Sequence, residues 1–299
     1  MSATAGPMTG QATPERLRAR AEDAAAGLPA LMLAAERLST ALSAGSHGLR
    51  RAGSGEEFWQ YRPAAPGDSL RSIDWRRSAR SDAQFVRDRE LQTAQAAVVW
   101  VSGGQGMDYS GAPNRATKRD RADLLALAIS VALLRGGERV GLAGQPPRAG
   151  RAQIDRIAQG LVLRPDSAGP DDDVPPIHAL RPGQRVLLIA DFLGDPAPVL
   201  SYLERAAGMG VRGAILQVLD PDEETFPFSG AVLFRTLSGA SRHDTRDAQG
   251  LRAAYLNRLA ERRELLRQAA ARSGWHFGTH DTANAPAQAL LWIASVLEG

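Results

Sequence analysis

Two runs decide most of what this chain can fold into. Ala96-Ala97-Val98-Val99-Trp100-Val101 and Val186-Leu187-Leu188-Ile189 are apolar at every position, without the alternation of a strand that wets one face. Such strands belong in a sheet covered by helices on both sides, so the expected class is α/β with a mostly parallel sheet. The second half of the chain supports this by alternating strands with helices. Strands are predicted at Ala96–Val101, Arg139–Ala143, Arg185–Ala190 and Arg212–Leu219, and helices at Thr117–Arg135, Ala152–Gly160 and Ala197–Met209. A short strand at Ala231–Leu237, a polar helix at Ala248–Arg272, a strand at Trp275–Thr279 and a helix at Ala285–Leu297 complete it.

The first part of the chain reads differently. Between Pro14 and Ser43 a rough helical period, broken at Gly27-Leu28-Pro29, predicts two helical pieces meeting at a kink. From Gly45 to Arg89 Gly, Arg and aromatics dominate, with strand-like pieces at Glu57–Tyr61 and Gln84–Arg89 and no clear amphipathic helix. The expected organisation is therefore a helical segment over 1–44, a β-rich region over 45–94 and an α/β domain over 95–299. The Asp- and Pro-rich stretch Pro165–Pro176 is expected to be a mobile loop.

Composition narrows the function classes. Among 299 residues, 36 basic side chains face 33 acidic ones, and Lys118 is the only lysine. A net charge of +3 gives little counterion-release drive towards nucleic acid. The absence of cysteine removes disulfides, iron–sulfur clusters, thiolate zinc sites and any Cys nucleophile. The polar start of the chain does not read as a signal peptide, and apolar stretches such as Leu124–Leu134 fall short of the roughly 18 residues of a membrane span. A cytoplasmic location is expected.

In open parallel sheets chemistry gathers where strands end. The first core strand runs into Ser102-Gly103-Gly104-Gln105-Gly106-Met107-Asp108, a later one into Asp191-Phe192-Leu193, and the next into Asp220-Pro221-Asp222-Glu223-Glu224. The glycine spacing at 103, 104 and 106 fits neither a Walker loop nor a dinucleotide fingerprint, and reads as a plain turn. His47, His178, His243, His276 and His280 are scattered, and neither an HExxH helix nor a Gly-x-Ser-x-Gly elbow is present.

The stretch from Gly53 to Arg62 with its Phe58-Trp59-Gln60-Tyr61-Arg62 core, then Pro66-Gly67-Asp68-Ser69-Leu70-Arg71-Ser72-Ile73-Asp74-Trp75, then Ser78-Ala79-Arg80, resembles the signature of the domain of unknown function 58 family. Ala190-Asp191-Phe192, Asp220-Pro221-Asp222-Glu223 and Tyr255 fall where later landmarks of that family lie, so the resemblance covers the chain from about Gly45 onward. It implies a von Willebrand factor A-like fold, Rossmann-like, with a β-rich insertion before the first core strand. It also implies MoxR-type AAA+ ATPases as partners, together with membrane-anchored von Willebrand A proteins, and no established enzymatic activity.

The same resemblance implies a metal-ion-dependent adhesion site, D-x-S-x-S, after the first strand. Ser102, Gly104 and Gly106 stand at those positions with Met107 in register, and Asp191 alone matches a ligand carboxylate. A hard divalent cation needs oxygen ligands, so the site is expected to be degenerate, with Asp108, Asp191 and Asp220 as the only acids placed to rescue it, and no metal or cofactor is expected. Arg62, Asp68, Arg71, Asp74 and Arg80, with Phe58, Gly67, Trp75 and Ser78 among them, suit a salt-bridge network fastening the insertion to the sheet, or a partner-facing surface. Trp59 and Trp75 are expected to anchor packing. The expected function is a non-catalytic interaction or assembly module working with a MoxR-type ATPase. The alternatives are a metal-dependent phosphoester hydrolase using Asp191, Asp220, Asp222 and Glu223, and a nucleic-acid-binding protein using the Arg-rich surface.

Overall fold

A computed structural model describes residues 32–41, 58–63, 73, 75–79, 85–89, 95–164, 174–235 and 242–298. Before the core lie helix α1 (32–41), strand β1 (Phe58–Pro63), the single turn α2 (Trp75–Ser78) and strand β2 (Phe85–Arg89). β1 and β2 pair antiparallel with an irregularity between Phe58 and Gln60. The core then alternates β3 (Ala96–Val101), α3 (Lys118–Arg135), β4 (Arg139–Leu142), α4 (Ala152–Val162), β5 (Arg185–Ala190), α5 (Ala197–Gly208) and β6 (Arg212–Leu219). A short α6 (Pro221–Thr225), the antiparallel pair β7 (Val232–Arg235) and β8 (Arg242–Thr245), the long α7 (Ala248–Arg272), β9 (His276–Asp281) and α8 (Pro286–Glu298) follow.

The core sheet has the order β4-β3-β5-β6-β9 and every pairing in it is parallel. Its strands are apolar on both sides because both sides are covered. Val99, Val101, Leu187, Ile189, Leu216 and Val218 pack under α3, α4 and α8, while Val98, Val186, Leu188, Ala190 and Ile215 pack under α5 and α7. α3 is the central helix of the first layer, buried from Ala122 through Val131 on nearly every side. On the other face Trp275 meets Tyr202 edge-to-face at 6.1 Å and donates its indole N–H to the Val211 carbonyl at 3.1 Å. The edge strand β4 also accepts a single antiparallel bridge between Val140 and Arg148.

Several expectations are corrected here. Trp75 is 56% exposed and so does not anchor packing. One helical turn, α2, forms inside the region read as free of helix, and the Ser78 hydroxyl accepts the Phe85 N–H at 2.9 Å, tying α2 to β2. The strand expected over Ala231–Leu237 is described over Val232–Arg235 and has a partner, β8, that was not anticipated. Of the signature, Phe58 and Arg62 lie in β1, their side chains outside the described residues, as do Gly67, Asp68, Arg71, Asp74 and Arg80 altogether. The first of the two expected helical pieces, His47 and the loop residues 165–173 also fall outside the described residues.

Candidate functional site

The sheet order reverses between β3 and β5: the next strand after β3 lies on one side of it, and β5 on the other. Helices that leave adjacent strands in opposite directions leave a crevice at the carboxyl ends of those two strands. The loop Ser102–Asp108 follows β3 and Asp191 follows β5, so the sequence-predicted positions Ser102, Gly104, Gly106 and Asp191 do converge. Asp220 and Glu223, after β6, close the same edge from the other side.

The acids on this edge are tied to bases of the β3–α3 loop and the first turn of α3, apart from Glu224, which pairs with Arg263 of α7. The Lys118 ammonium lies 2.8 Å from Asp191 Oδ2 and 2.6 Å from Glu223 Oε1. Arg115 Nη1 is 2.6 Å from Asp220 Oδ1 and 3.6 Å from Asp222 Oδ1. Arg119 pairs with Asp108 and also donates to the carbonyls of Gly103 and Gly104. Farther along α3, Asp123 accepts two bonds from Arg164, at 2.8 and 3.2 Å. The clustering is local in sequence because the β3–α3 loop folds back over the strand ends, with the Lys118 N–H donating to the Tyr109 carbonyl at 3.2 Å. Thr117 then caps α3 in a reciprocal box with Asp120.

The electrostatics follow from this geometry. Lys118 is only 1% exposed, and that burial alone would favour loss of its proton. Asp191 and Glu223 outweigh the burial and hold its pKa above the ordinary lysine value, so the ammonium stays charged. Asp220 is buried too, yet its carboxyl is held below the usual range by the N–H groups of Asp222 and Gly111 and by Arg115. The Tyr109 phenol is pushed up to about 12, first by burial and then by Asp222, Asp220 and Glu223.

A divalent cation does not fit this arrangement. Ser102 supplies the only hydroxyl of the three expected positions, and it already accepts the Gly104 N–H at 3.0 Å within its own loop. A side chain at position 106 would crowd Asp191, since a Cβ there would stand 3.0 Å from Asp191 Oδ2. Glycine at 106 and the Asp191–Lys118 pair are thus two sides of one geometry. Among the described residues no group of three or more His, Asp or Glu side chains is placed to hold a metal ion.

Sequence reasoning named the acids and missed the bases. The available signal was Lys118-Arg119-Asp120-Arg121 at a helix start, where the helix dipole disfavours cations. Three bases in that first turn need an external reason. Two strained residues flank the site as well: Phe192 and Phe226 hold φ of 51° and 47°, a region that bulky side chains rarely adopt. Phe226 also packs on Tyr255 of α7, the helix landmark, with ring centroids 4.8 Å apart.

The fold and this edge define a doubly wound α/β protein whose strand-end carboxylates are closed by internal ion pairs. The chain belongs to the family described as "Protein of unknown function DUF58", which matches residues 60–265. It is 29% identical over 246 residues to "Uncharacterized protein Rv1480" of Mycobacterium tuberculosis and to "Uncharacterized protein Mb1516" of Mycobacterium bovis, covering 74% of each chain. Among solved structures it is similar to an aerotolerance-related membrane protein from Bacteroides fragilis, with a TM-score of 0.41, 14% identity, and coverage of 69% of this chain and 99% of that one. It is also similar to the hypothetical protein BatB from Bacteroides thetaiotaomicron, with a TM-score of 0.37, 13% identity and the same coverage. No helix among the described residues is long and apolar enough to cross a membrane.

Proposed function

We propose that the chain is a non-catalytic, cytoplasmic interaction or assembly module with a degenerate metal-ion-dependent adhesion site, working through the carboxyl edge of its sheet. Its partners are a MoxR-type AAA+ ATPase and membrane-anchored von Willebrand A proteins. The observation that carries the reading is that Asp191, Glu223, Asp220 and Asp108 each face a bound basic side chain, which leaves none of these four acids free as a general base beside an open metal position. The hydrolase alternative requires those same acids to be free for a metal, and of the basic runs behind the nucleic-acid alternative, Arg262 and Arg263 on α7 are bound to the Phe192 and Gly194 carbonyls and to Gln217 and Glu224.

Affinity capture with the full chain as bait tests this reading, with Gly104→Asp as the control variant. Gly104 has φ −57° and ψ 139°, which any residue adopts, so the change adds a charge at the edge without backbone strain. The expected result is an ATPase and membrane-anchored partners captured by the parent and lost with Gly104→Asp, with the melting temperature kept. A phosphatase or nuclease rate that survives purification and falls on Asp220→Asn would overturn the reading in favour of the hydrolase.

A further inference from the structure

We infer that Lys118 is a tethered cation standing in for a divalent ion, so that this edge of the sheet is permanently loaded and requires no metal. Three independent features point the same way. First, Lys118 is the only lysine in a chain whose other 35 basic residues are all arginine. A site that bridges two carboxylates from different strand ends at 2.8 and 2.6 Å suits a compact ammonium with three rotatable donors, whereas the planar guanidinium fork suits one bidentate acid. The remaining side of the ammonium faces the Tyr109 ring, 5.8 Å from its centroid.

Second, the position works against its own helix. Lys118 opens α3, where a cation is opposed by the macrodipole, and the two acids compensate for that and for a side chain 1% exposed. Third, the loop has adapted to the ammonium. Asp191 Oδ2 turns to Lys118 and stands 3.0 Å from where a Cβ on Gly106 would be, so a side chain at 106 would press on the carboxylate that holds the ammonium.

The chemistry on removing Lys118 follows. Asp191 and Glu223 become two uncompensated carboxylates beside a vacated space, and a hard divalent cation is the ligand class they would then select. For docking, the consequence is that engagement of a partner is constitutive and not gated by cation concentration. That consequence rests on the proposed docking role, whereas the assignment of Lys118 does not.

Calorimetry and thermal melts with MnCl2, on the parent chain, Lys118→Ala and Lys118→Met, test the assignment. The parent is expected to show no saturable uptake and no shift in melting temperature. Lys118→Ala is expected to melt lower, to take up one Mn²⁺ with a Kd below about 1 mM, and to regain melting temperature as Mn²⁺ rises. Asp191→Asn in the same chain is expected to weaken that uptake at least ~10-fold. Lys118→Met fills the space without charge, and is expected to melt lower but to bind at least ~10-fold more weakly than Lys118→Ala. Saturable Mn²⁺ uptake by the parent, or a folded Lys118→Ala that takes up none, overturns the assignment. Should Lys118→Ala fail to fold in any ion, the neutral triple variant Lys118→Met/Asp191→Asn/Glu223→Gln decides: cooperative melting supports the assignment and its absence overturns it. Partner capture with and without EDTA reads the docking consequence separately. Loss of capture in EDTA overturns constitutive loading and leaves the docking role standing, while capture in neither condition overturns the docking role and leaves the calorimetry to stand.

Discussion

His280 shows how a single buried group sets a pH dependence. It is the last residue but one of β9, is 5% exposed, and its Nε2 lies 2.7 Å from Arg121 Nη1. Arginine only donates, so Nε2 must accept and the ring is neutral with its proton on Nδ1. Burial, then the Arg121 charge, lowers its pKa from 6.5 to about 4. The unfolded chain therefore binds a proton at this site between pH 6.5 and about 4 that the folded chain refuses, and stability falls as pH falls through that window. The full effect is on the order of 3 kcal/mol. Thermal melts from pH 4.5 to 7.5 should show this acid loss in the parent and a flatter profile in His280→Gln, and parallel profiles would refute it. Histidine 280 was visible in the sequence only as one of five scattered histidines, because its role is set by Arg121, 159 positions away. The same holds for Lys118: Asp191 and Glu223 were legible as strand-end acids, but nothing local says which base reaches them.

At the scale of elements, apolar runs and helical periodicity carried the reading well wherever an element packs its own side chains. β3, α3, β5 and β6 lie where Ala96–Val101, Thr117–Arg135, Arg185–Ala190 and Arg212–Leu219 were expected, because both-sided burial writes continuous apolar runs. α6 and β8 were not legible. α6 exists through capping, Asp220 accepting the Asp222 N–H and Glu223 accepting that of Asp220, and β8 is polar along Arg242-His243-Asp244-Thr245, paired by backbone bonds to β7. The ion pair that ties α3 to the residues after α4 was equally hidden, since its two partners lie 41 positions apart. Asp123, 8% exposed, is held by both Arg164 nitrogens from just beyond α4. Removing the arginine leaves a desolvated carboxylate, a loss of about 3 kcal/mol. Arg164→Ala should therefore melt well below the parent, and Asp123→Asn added to it should recover part of that loss. Equal melting of parent and Arg164→Ala would show the pair to be solvated. Within the sheet, Gly213 is set against Val186 so closely that a Cβ would fall 1.9 Å from its carbonyl oxygen. Because that obstacle is backbone, Gly213→Ala should separate β5 from β6 and cost at least about 3 kcal/mol by chemical denaturation. A loss below about 1 kcal/mol would mean that the strands part easily.

Taken whole, the molecule has two differently built ends. At the amino ends of the strands a cleft of about 660 Å³ is lined, among the described residues, by Arg139, Arg181, Arg185 and Arg212 and by no acidic side chain. At the carboxyl ends the charges are paired internally, and Leu193, 37% exposed, stands beside Asp191, whose Oδ1 accepts the Leu193 N–H at 3.3 Å. A partner recognised by long-range charge would choose the arginine end, with binding that falls steeply as salt rises. A partner that docks on the closed edge meets neutralised charge and exposed apolar surface, so its binding is governed by packing and depends little on salt. The proposed docking role makes the second case the expected one. Leu193→Glu and Arg212→Glu each place one carboxylate on an exposed position, at opposite ends of the same sheet, so both should melt close to the parent chain. Capture of the proposed ATPase partner should be lost with Leu193→Glu, retained with Arg212→Glu, and nearly constant from about 50 to about 300 mM salt. The reverse pattern, with loss at Arg212 and steep salt dependence, would move the working surface to the arginine cleft.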